Sequence, residues 1–461
     1  MPELSTAQRR ARGAAVLGAG VVATVMIRLS ARRRGESHGR HTRSRTANEN
    51  VRVARVAATT AAPSVEQPKS RWVVFLGYGL LAVATQALFV NYAPVTQDAA
   101  RHFGVSVGEI GWLSQVFPLI YVLLAVPAGI ALDRFLRPAL VIGAVLTASG
   151  AFLRLVADDF TWAFVGQVVA AVGQPFILNA VPGLAAGYLA ERHRATGIAA
   201  ASSATFAGMV LSYLLGAFLP GESQIRTLTL ITALIAMDAG LCLIAALRFP
   251  PHANRESAAA TGGLRAFRAA FGNRYVRRLC AVVAIPMGTF IALATFVQPL
   301  LAPAGVPEST AGLILALTMI AGVIGCAVVP VWADRRGREI DVMGVAIAFT
   351  AVACLHLALI PSTLTAFLTL TGTGFVLLPA LPIVLSLSER HAPEAESTAA
   401  GLIWMAGNLG GVLLATAVGL FVTRPAMAFT ALLTATLLAL PALHWFRKLE
   451  HQVGPGAVSS A

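Results

Sequence analysis

The sequence predicts an all-α membrane protein of twelve transmembrane helices in two six-helix bundles, with both termini on the cytoplasmic side. Three observations carry this. Of the 461 residues, 57% are hydrophobic and 12% charged, and mean hydropathy is +0.73; a soluble chain carries about 25% charged residues. The apolar residues fall in runs near the ~20 needed to cross hydrocarbon as a helix. Finally, the polar interruption Gly129-Ile130-Ala131-Leu132-Asp133-Arg134-Phe135-Leu136-Arg137 recurs as Ala333-Asp334-Arg335-Arg336-Gly337-Arg338, with Asp334 following Asp133 by 201 residues. An Asp-Arg pair between two apolar runs belongs at a membrane–water boundary, because burying both charges in lipid costs several kcal/mol. A repeated interhelical loop implies a duplicated helical bundle.

Residues 1–70 alternate Arg clusters with Ala, Ser and Thr and show no sustained periodicity, so a basic, disordered N-terminal tail is expected. Within it, Ala14–Ile27 is apolar but short for a span, and basic sequence follows it where a signal peptide would be cleaved. The net charge of +14 does not indicate nucleic acid. Twelve basic residues lie in the first 60 positions, and most others sit in loops on one side. Cys242, Cys280, Cys326 and Cys354 lie within or beside apolar runs without metal-ligand spacing, which suits packing rather than a disulfide framework or a metal site.

From Trp72 the apolar segments run at about 72–93, 110–132, 138–157, 161–189, 196–219, 227–249, 279–302, 310–332, 341–360, 363–387, 398–422 and 426–446. Only helices satisfy their own backbone in lipid in such a pattern, which fixes the class as all-α. The longest connection, 250–278, carries Arg255, Arg265, Arg268, Arg274, Arg277 and Arg278. The expected organisation is therefore a bundle over 71–249, a cytoplasmic linker over 250–278, a second bundle over 279–447 and a tail over 448–461. The loops after the even-numbered segments hold nearly all the Arg residues, while the alternate loops contribute Arg101, Arg226 and Arg424. Positive charge stays in the cytoplasm, which places both termini there.

The repeat extends into the segments. Gly173-Gln174-Pro175-Phe176 through Pro182 is echoed by Gly374-Phe375-Val376-Leu377 through Pro382, and Ala204-Thr205-Phe206-Ala207-Gly208 by Gly407-Asn408-Leu409-Gly410-Gly411. Small-residue and proline-interrupted helices in matching places point to a binding site between the halves at mid-membrane. The candidate lining is uncharged: Gln86, Asn91, Gln115, Gln167, Gln174, Asn179, Thr205, Gln298 and Asn408. An amide in lipid must face a cavity or another helix. Aromatic side chains such as Phe89, Tyr92 or Trp404 beside these amides could hold a quaternary ammonium by cation–π attraction, worth about 1–2 kcal/mol when desolvated. Asp238, midway along the sixth segment, is a possible proton-coupling carboxylate or a structurally paired one. Arg154 and His356 lie near the outer face, where snorkelling would accommodate them.

The two loops, of the form G-x-x-x-D-R-x-G-R in a six-plus-six chain, resemble the major facilitator superfamily. Leu136 replaces the second glycine in one copy and Pro330 the first in the other. Within that superfamily, Asn91–Val95, Ile110–Ser114, Gly166–Gly197 and the stretches beginning at Thr310 and Glu396 are similar to the FLVCR-type branch (feline leukaemia virus subgroup C receptor-related transporters). The similarity covers about residues 71–425. That branch is associated with choline, ethanolamine and heme export, so the resemblance implies a small organic cation or amphiphile. By matching motifs, Gln174 and Asn408 occupy positions where the branch places substrate-contacting amides. Phe89 stands where it has a Trp, Thr205 where it has an Asn, and its aromatic early in the seventh segment is replaced around Ile285-Pro286-Met287.

The expected gating residues are Asp133, Arg134, Arg137, Asp334, Arg335 and Arg338. An Asp at a helix end can accept hydrogen bonds from a neighbouring helix N-terminus. Asp133 is expected to cap near Ser397 and Thr398, and Asp334 near Thr196. The reading is a monomeric, multi-pass plasma-membrane transporter of a small organic solute, working by rocker-switch alternating access. Its partners are the solute and the bilayer, with no nucleic acid, cofactor or metal. A proton-coupled multidrug exporter is the alternative, and predicts collapse of transport with an uncoupler. A non-transporting receptor or scaffold predicts no flux and a role for the tail. No nucleophile–base pair or phosphate loop suggests an enzyme.

Overall fold

The computed structural model describes residues 69–251, 268, 270–391 and 396–452, with side chains at 195, 389–391, 396–398 and 449–452 outside the description. The basic tail, most of the linker and residues 453–461 thus lie outside the described residues.

The first half comprises α1 (Trp72–Phe89), α2 (Thr96–Phe103), α3 (Val107–Leu153), α4 (Phe160–Leu178), α5 (Val181–Tyr188), α6 (Glu191–Phe218) and α7 (Ile225–Ala246). The second comprises α8 (Arg274–Leu301), α9 (Glu308–Asp334), α10 (Glu339–Leu359), α11 (Thr363–Leu377), α12 (Ala380–His391), α13 (Glu396–Leu420) and α14 (Pro425–Gln452). Among the described residues, eleven helical stretches are long and apolar enough to cross a membrane. One of them, α3, has 47 residues and a non-helical Phe135 (φ −138°, ψ 58°). At 1.5 Å per residue it covers roughly 70 Å, twice the ~30 Å of hydrocarbon, so its two parts are separate spans and the count is twelve. The turn falls inside the first Asp-Arg interruption.

Local chemistry sets the helix starts. Ser106 and Glu109 form a reciprocal capping box on α3, with Ser106 N–H donating to Glu109 Oε2 at 2.7 Å. Asp159 Oδ1 accepts the Trp162 N–H at 2.9 Å on α4, and Ser362 with Thr365 does the same work on α11. In both halves one span is broken: α4 gives way to α5 at Asn179 and Ala180, and α11 to α12 at Leu378 and Pro379. Asn179 staples its break to α3, donating from Nδ2 to Ala125 O at 3.0 Å and accepting from Tyr121 OH at 2.7 Å.

In the first half α3 packs on α4, and α1 on α6 and α7; in the second α8 packs on α13 and α14, and α9 on α11. The halves meet along α6 against α9 and α3 against α13. The apolar outer surface, including Leu76, Leu359 and Leu420 at 67%, 71% and 76% exposure, is the surface that a bilayer covers.

Candidate binding site

Between the halves, where the two helix breaks face each other, lies a cavity of about 90 Å³. The first half lines it with Gln86 and Phe89 of α1, Phe117 and Pro118 of α3, Gln174 of α4, and Thr205, Phe206 and Met209 of α6. The second supplies Pro286, Met287 and Phe290 of α8, Trp404 and Asn408 of α13, and residues at the α11–α12 break. Glycines set these approaches. A Cβ on Gly208 would lie 2.3 Å from Val83 O, and one on Gly410 would lie 1.9 Å from Ala284 O. Only glycine lets α6 lie on α1, and α13 on α8, closely enough to bring Thr205 beside Gln86 and Asn408 beside Met287.

The polar groups are few. Asn408 Nδ2 donates to Trp404 O at 2.9 Å, leaving its carbonyl oxygen for the cavity. Thr205 Oγ1 donates to Ala201 O at 3.1 Å. Among the described residues, the amides of Gln86 and Gln174 have no hydrogen-bond partner, although both side chains are buried. None of the lining residues is ionisable at neutral pH. Aromatic faces and neutral amides can hold a cation by its π contacts and orient a hydroxyl or amine by hydrogen bonds.

Of the twelve lining candidates from the sequence, Gln86, Gln174, Asn408, Phe89, Thr205 and Trp404 share this cavity. Tyr92 and Gln298 do not. Tyr92 is buried in a separate cluster, edge-on to Phe103 and bonded from its hydroxyl to Thr229 Oγ1 at 2.9 Å. Gln298 sits at one end of the bundle interface, described below. Several other amides tie helices together: Gln115 Nε2 donates to Thr295 Oγ1 of the other half at 2.9 Å, and Gln167 Nε2 to Leu88 O at 3.1 Å and Leu113 O at 2.9 Å. Phe117, Phe290 and Met209 line the cavity without having been singled out. Phe290, one turn beyond Ile285-Pro286-Met287, supplies an aromatic wall from the seventh span.

Two charged residues are placed otherwise than the sequence suggested. Arg154 does not snorkel. It is 3% exposed, and its guanidinium donates to Ala151 O at 3.3 Å, Gln167 Oε1 at 3.4 Å and Thr232 Oγ1 at 3.1 Å. Gly166 makes the room, since a Cβ there would stand 2.4 Å from Arg154 Cγ. Asp238 is exposed on the outer surface of α7, between Met237 and Leu241 in the exposed apolar band, away from the cavity.

The two ends of the interface differ. At the end formed by α2, the α6–α7 turn and the start of α9, the halves touch through polar groups: Gln97 N–H donates to Gln298 Oε1 at 3.3 Å and Asp98 N–H to Glu308 Oε1 at 3.1 Å. Between this end and the cavity, Phe296 of α8 lies directly on Gly111 of α3. At the arginine-rich end, Asp133, Arg134, Arg137, Asp334, Arg335 and Arg338 are all exposed. There Arg137 donates to Leu247 O of its own half, Arg278 stacks 3.8 Å from the Trp445 ring, and Arg447 pairs with Asp341 at 2.8 Å. These contacts join helices of the same half. The expected caps at Ser397 and Thr398 fall outside the described side chains, and Thr196, like Asp334, is exposed.

A sequence profile of the Major Facilitator Superfamily matches residues 71–415. The chain belongs to the major facilitator superfamily. Solute carrier family 49 member A3 of Danio rerio is 28% identical over 378 residues, covering 77% of this chain and 79% of that protein. The choline/ethanolamine transporter FLVCR1 of Felis catus is 25% identical over 389 residues, covering 78% and 70% respectively. In fold, the chain is similar to the inward-facing, unoccupied crystal structure of a bacterial homolog of the human lysosomal transporter Spinster, with a TM-score of 0.67 at 17% identity over 82% of this chain and 96% of that one. This facilitator-superfamily chain is a multi-pass membrane solute transporter.

Proposed function

We propose that the transported solute is a small organic cation of the choline or ethanolamine type. It is carried across the plasma membrane by rocking of the two halves about the central cavity, with the arginine-rich end in the cytoplasm. The observation that carries this reading is the lining itself. Phe89, Phe117, Phe290 and Trp404 present aromatic walls, Gln86 and Gln174 hold unengaged amides, and no carboxylate lines the space. An ammonium group desolvated against such walls gains about 2 kcal/mol per good ring contact, while the amides select for a hydroxyl or amine at its other end. The names of the relatives support the same chemistry. With one end closed by contacts between halves and the arginine-rich residues exposed, the conformation described is read as open toward the cytoplasm.

The test is uptake of labelled choline and ethanolamine into liposomes containing the purified chain, with thermal-shift titration of each. Saturable flux of either, competed by the other, is expected. Flux of neither, with no change in melting temperature, overturns the substrate assignment. The methionines Met209 and Met287 also suit bulkier lipophilic cations. A drug cation that is exported while choline is ignored would favour the exporter reading.

A further inference from the structure

At the closed end, acidic side chains from both halves meet. Asp98 on α2 and Glu308, the first residue of α9, meet across the interface and line one space, the Asp98 N–H donating to Glu308 Oε1. Two carboxylates are acceptors only and cannot hydrogen-bond without a proton between them. The remaining contacts show which of the two carries it. Asp98 is 5% exposed and accepts from the Arg101 guanidinium and from the Gly221 N–H, the partners of an ionised group. Glu308 Oε1 accepts from Asp98 N–H at 3.1 Å and from Gln298 Nε2 at 3.2 Å. Its Oε2 is buried and has no donor. One oxygen that accepts twice beside another that no donor reaches is the pattern of a neutral carboxylic acid, whose O–H seeks an acceptor.

We infer that Glu308 is a proton-binding site of this carrier: the proton on Oε2 is donated to Asp98 and latches this end shut. On release, the Glu308 O–H bond breaks and the proton passes to water in the adjoining space of about 400 Å³. Two carboxylates are then left in contact across the interface, and like charges at that separation drive the halves apart. Arg101 is the other charged group facing this space, beside polar Gln97, Gln298 and Ser309. Its guanidinium donates to the Asp98 carboxylate, which also accepts from the Gly221 N–H. Glu222 of the α6–α7 turn, next to Gly221, is exposed; His102 pairs with Asp158 at 2.8 Å, and Arg226 approaches the same carboxylate at 3.8 Å. That cluster joins parts of the first half alone. The inference rests on the alternating-access reading and adds to it a proton as the species that governs which end is open.

Spin labels at Ser223→Cys and Pro303→Cys, both exposed and on opposite halves of this end, report its opening without any solute. The full chain is used in nanodiscs, with the four native cysteines replaced by alanine. Between about pH 5 and pH 9 the long-distance population of the parent is expected to rise about threefold or more. Glu308→Gln supplies a permanent N–H donor to Asp98, and Asp98→Asn one to Glu308; each is expected to hold the short distance at both pH values. A parent insensitive to pH, or a Glu308→Gln chain that keeps the response, overturns the inference. Because no solute is involved, absence of choline flux leaves this outcome intact, and a fixed distance in a chain that transports choline defeats the latch alone.

Discussion

Gln97 and Gln298 are 201 residues apart and touch, the Gln97 N–H donating to the Gln298 side chain at 3.3 Å. The same interval separates Asp133 from Asp334, and Gly104 from Gly305, whose φ angles of 66° and 76° make matching left-handed turns. Equivalent positions of a duplicated chain meet each other only on the axis that relates the copies. The contact therefore marks where that axis leaves the protein, at the end now closed.

Removing that contact should loosen this end. Gln298→Leu deletes the acceptor for Gln97 N–H and a donor to Glu308. The labelled pair at 223 and 303 should shift toward the long distance by about 1 kcal/mol, roughly fivefold in population. An unchanged distance distribution would show that the glutamine is a bystander.

Within the cavity, Gln174→Ala and Trp404→Leu should each weaken choline-type binding by about tenfold, the first through a lost hydrogen bond and the second through a lost cation–π face. Thermal-shift titration checks both. The ligand-free melting temperature should move little, because Gln174 has no protein partner to lose.

Arg154→Lys should destabilise the first half by about 2–4 kcal/mol, since a compact ammonium cannot bridge Ala151 O, Gln167 and Thr232 together as the guanidinium fork does. Thermal unfolding in detergent is the readout. A melting temperature equal to the parent's would mean that lysine reaches the same acceptors.

Asp238→Asn should leave both flux and its pH dependence within about twofold of the parent, as a surface change outside the cavity does. Liposome uptake at acidic and alkaline pH measures this. Loss of the pH dependence in this variant would locate coupling on the outer face of α7 instead of at Glu308.

Asp133→Asn should bias the carrier toward the conformation described here, by weakening the hold of a charged cap on the alternative state. A cysteine at Leu381, in the cavity wall, should then react about threefold faster with a polar maleimide from the arginine-rich side. An unchanged rate would leave the loop with a topological role only.

The parts of this fold legible in the sequence are those imposed by hydrocarbon thickness and by backbone chemistry. Segment lengths follow from the first. The turn at Phe135 follows from charges that lipid will not take, and the broken spans from Pro175, Pro182 and Pro382. Gln174 and Asn408 were legible because amides stand out among apolar neighbours. Phe117 and Phe290 were not, because helices apolar on every face carry no periodic signal of which side looks inward. Tyr92 and Gln298 could be recognised as polar or aromatic, but their level along the pathway depends on which end is shut. Arg154 looked peripheral by its distance from the helix end; the space that Gly166 leaves for it belongs to another helix.

The interrupted spans bear on how the chain enters the membrane. At 1.5 Å per residue, the 15 residues of α11 and the 12 of α12 reach roughly 22 and 18 Å, each short of the ~30 Å to be crossed. Neither piece can be handed to lipid by itself. The passage from Thr363 to His391 therefore crosses only with its two pieces together, as one span interrupted at Leu378 and Pro379.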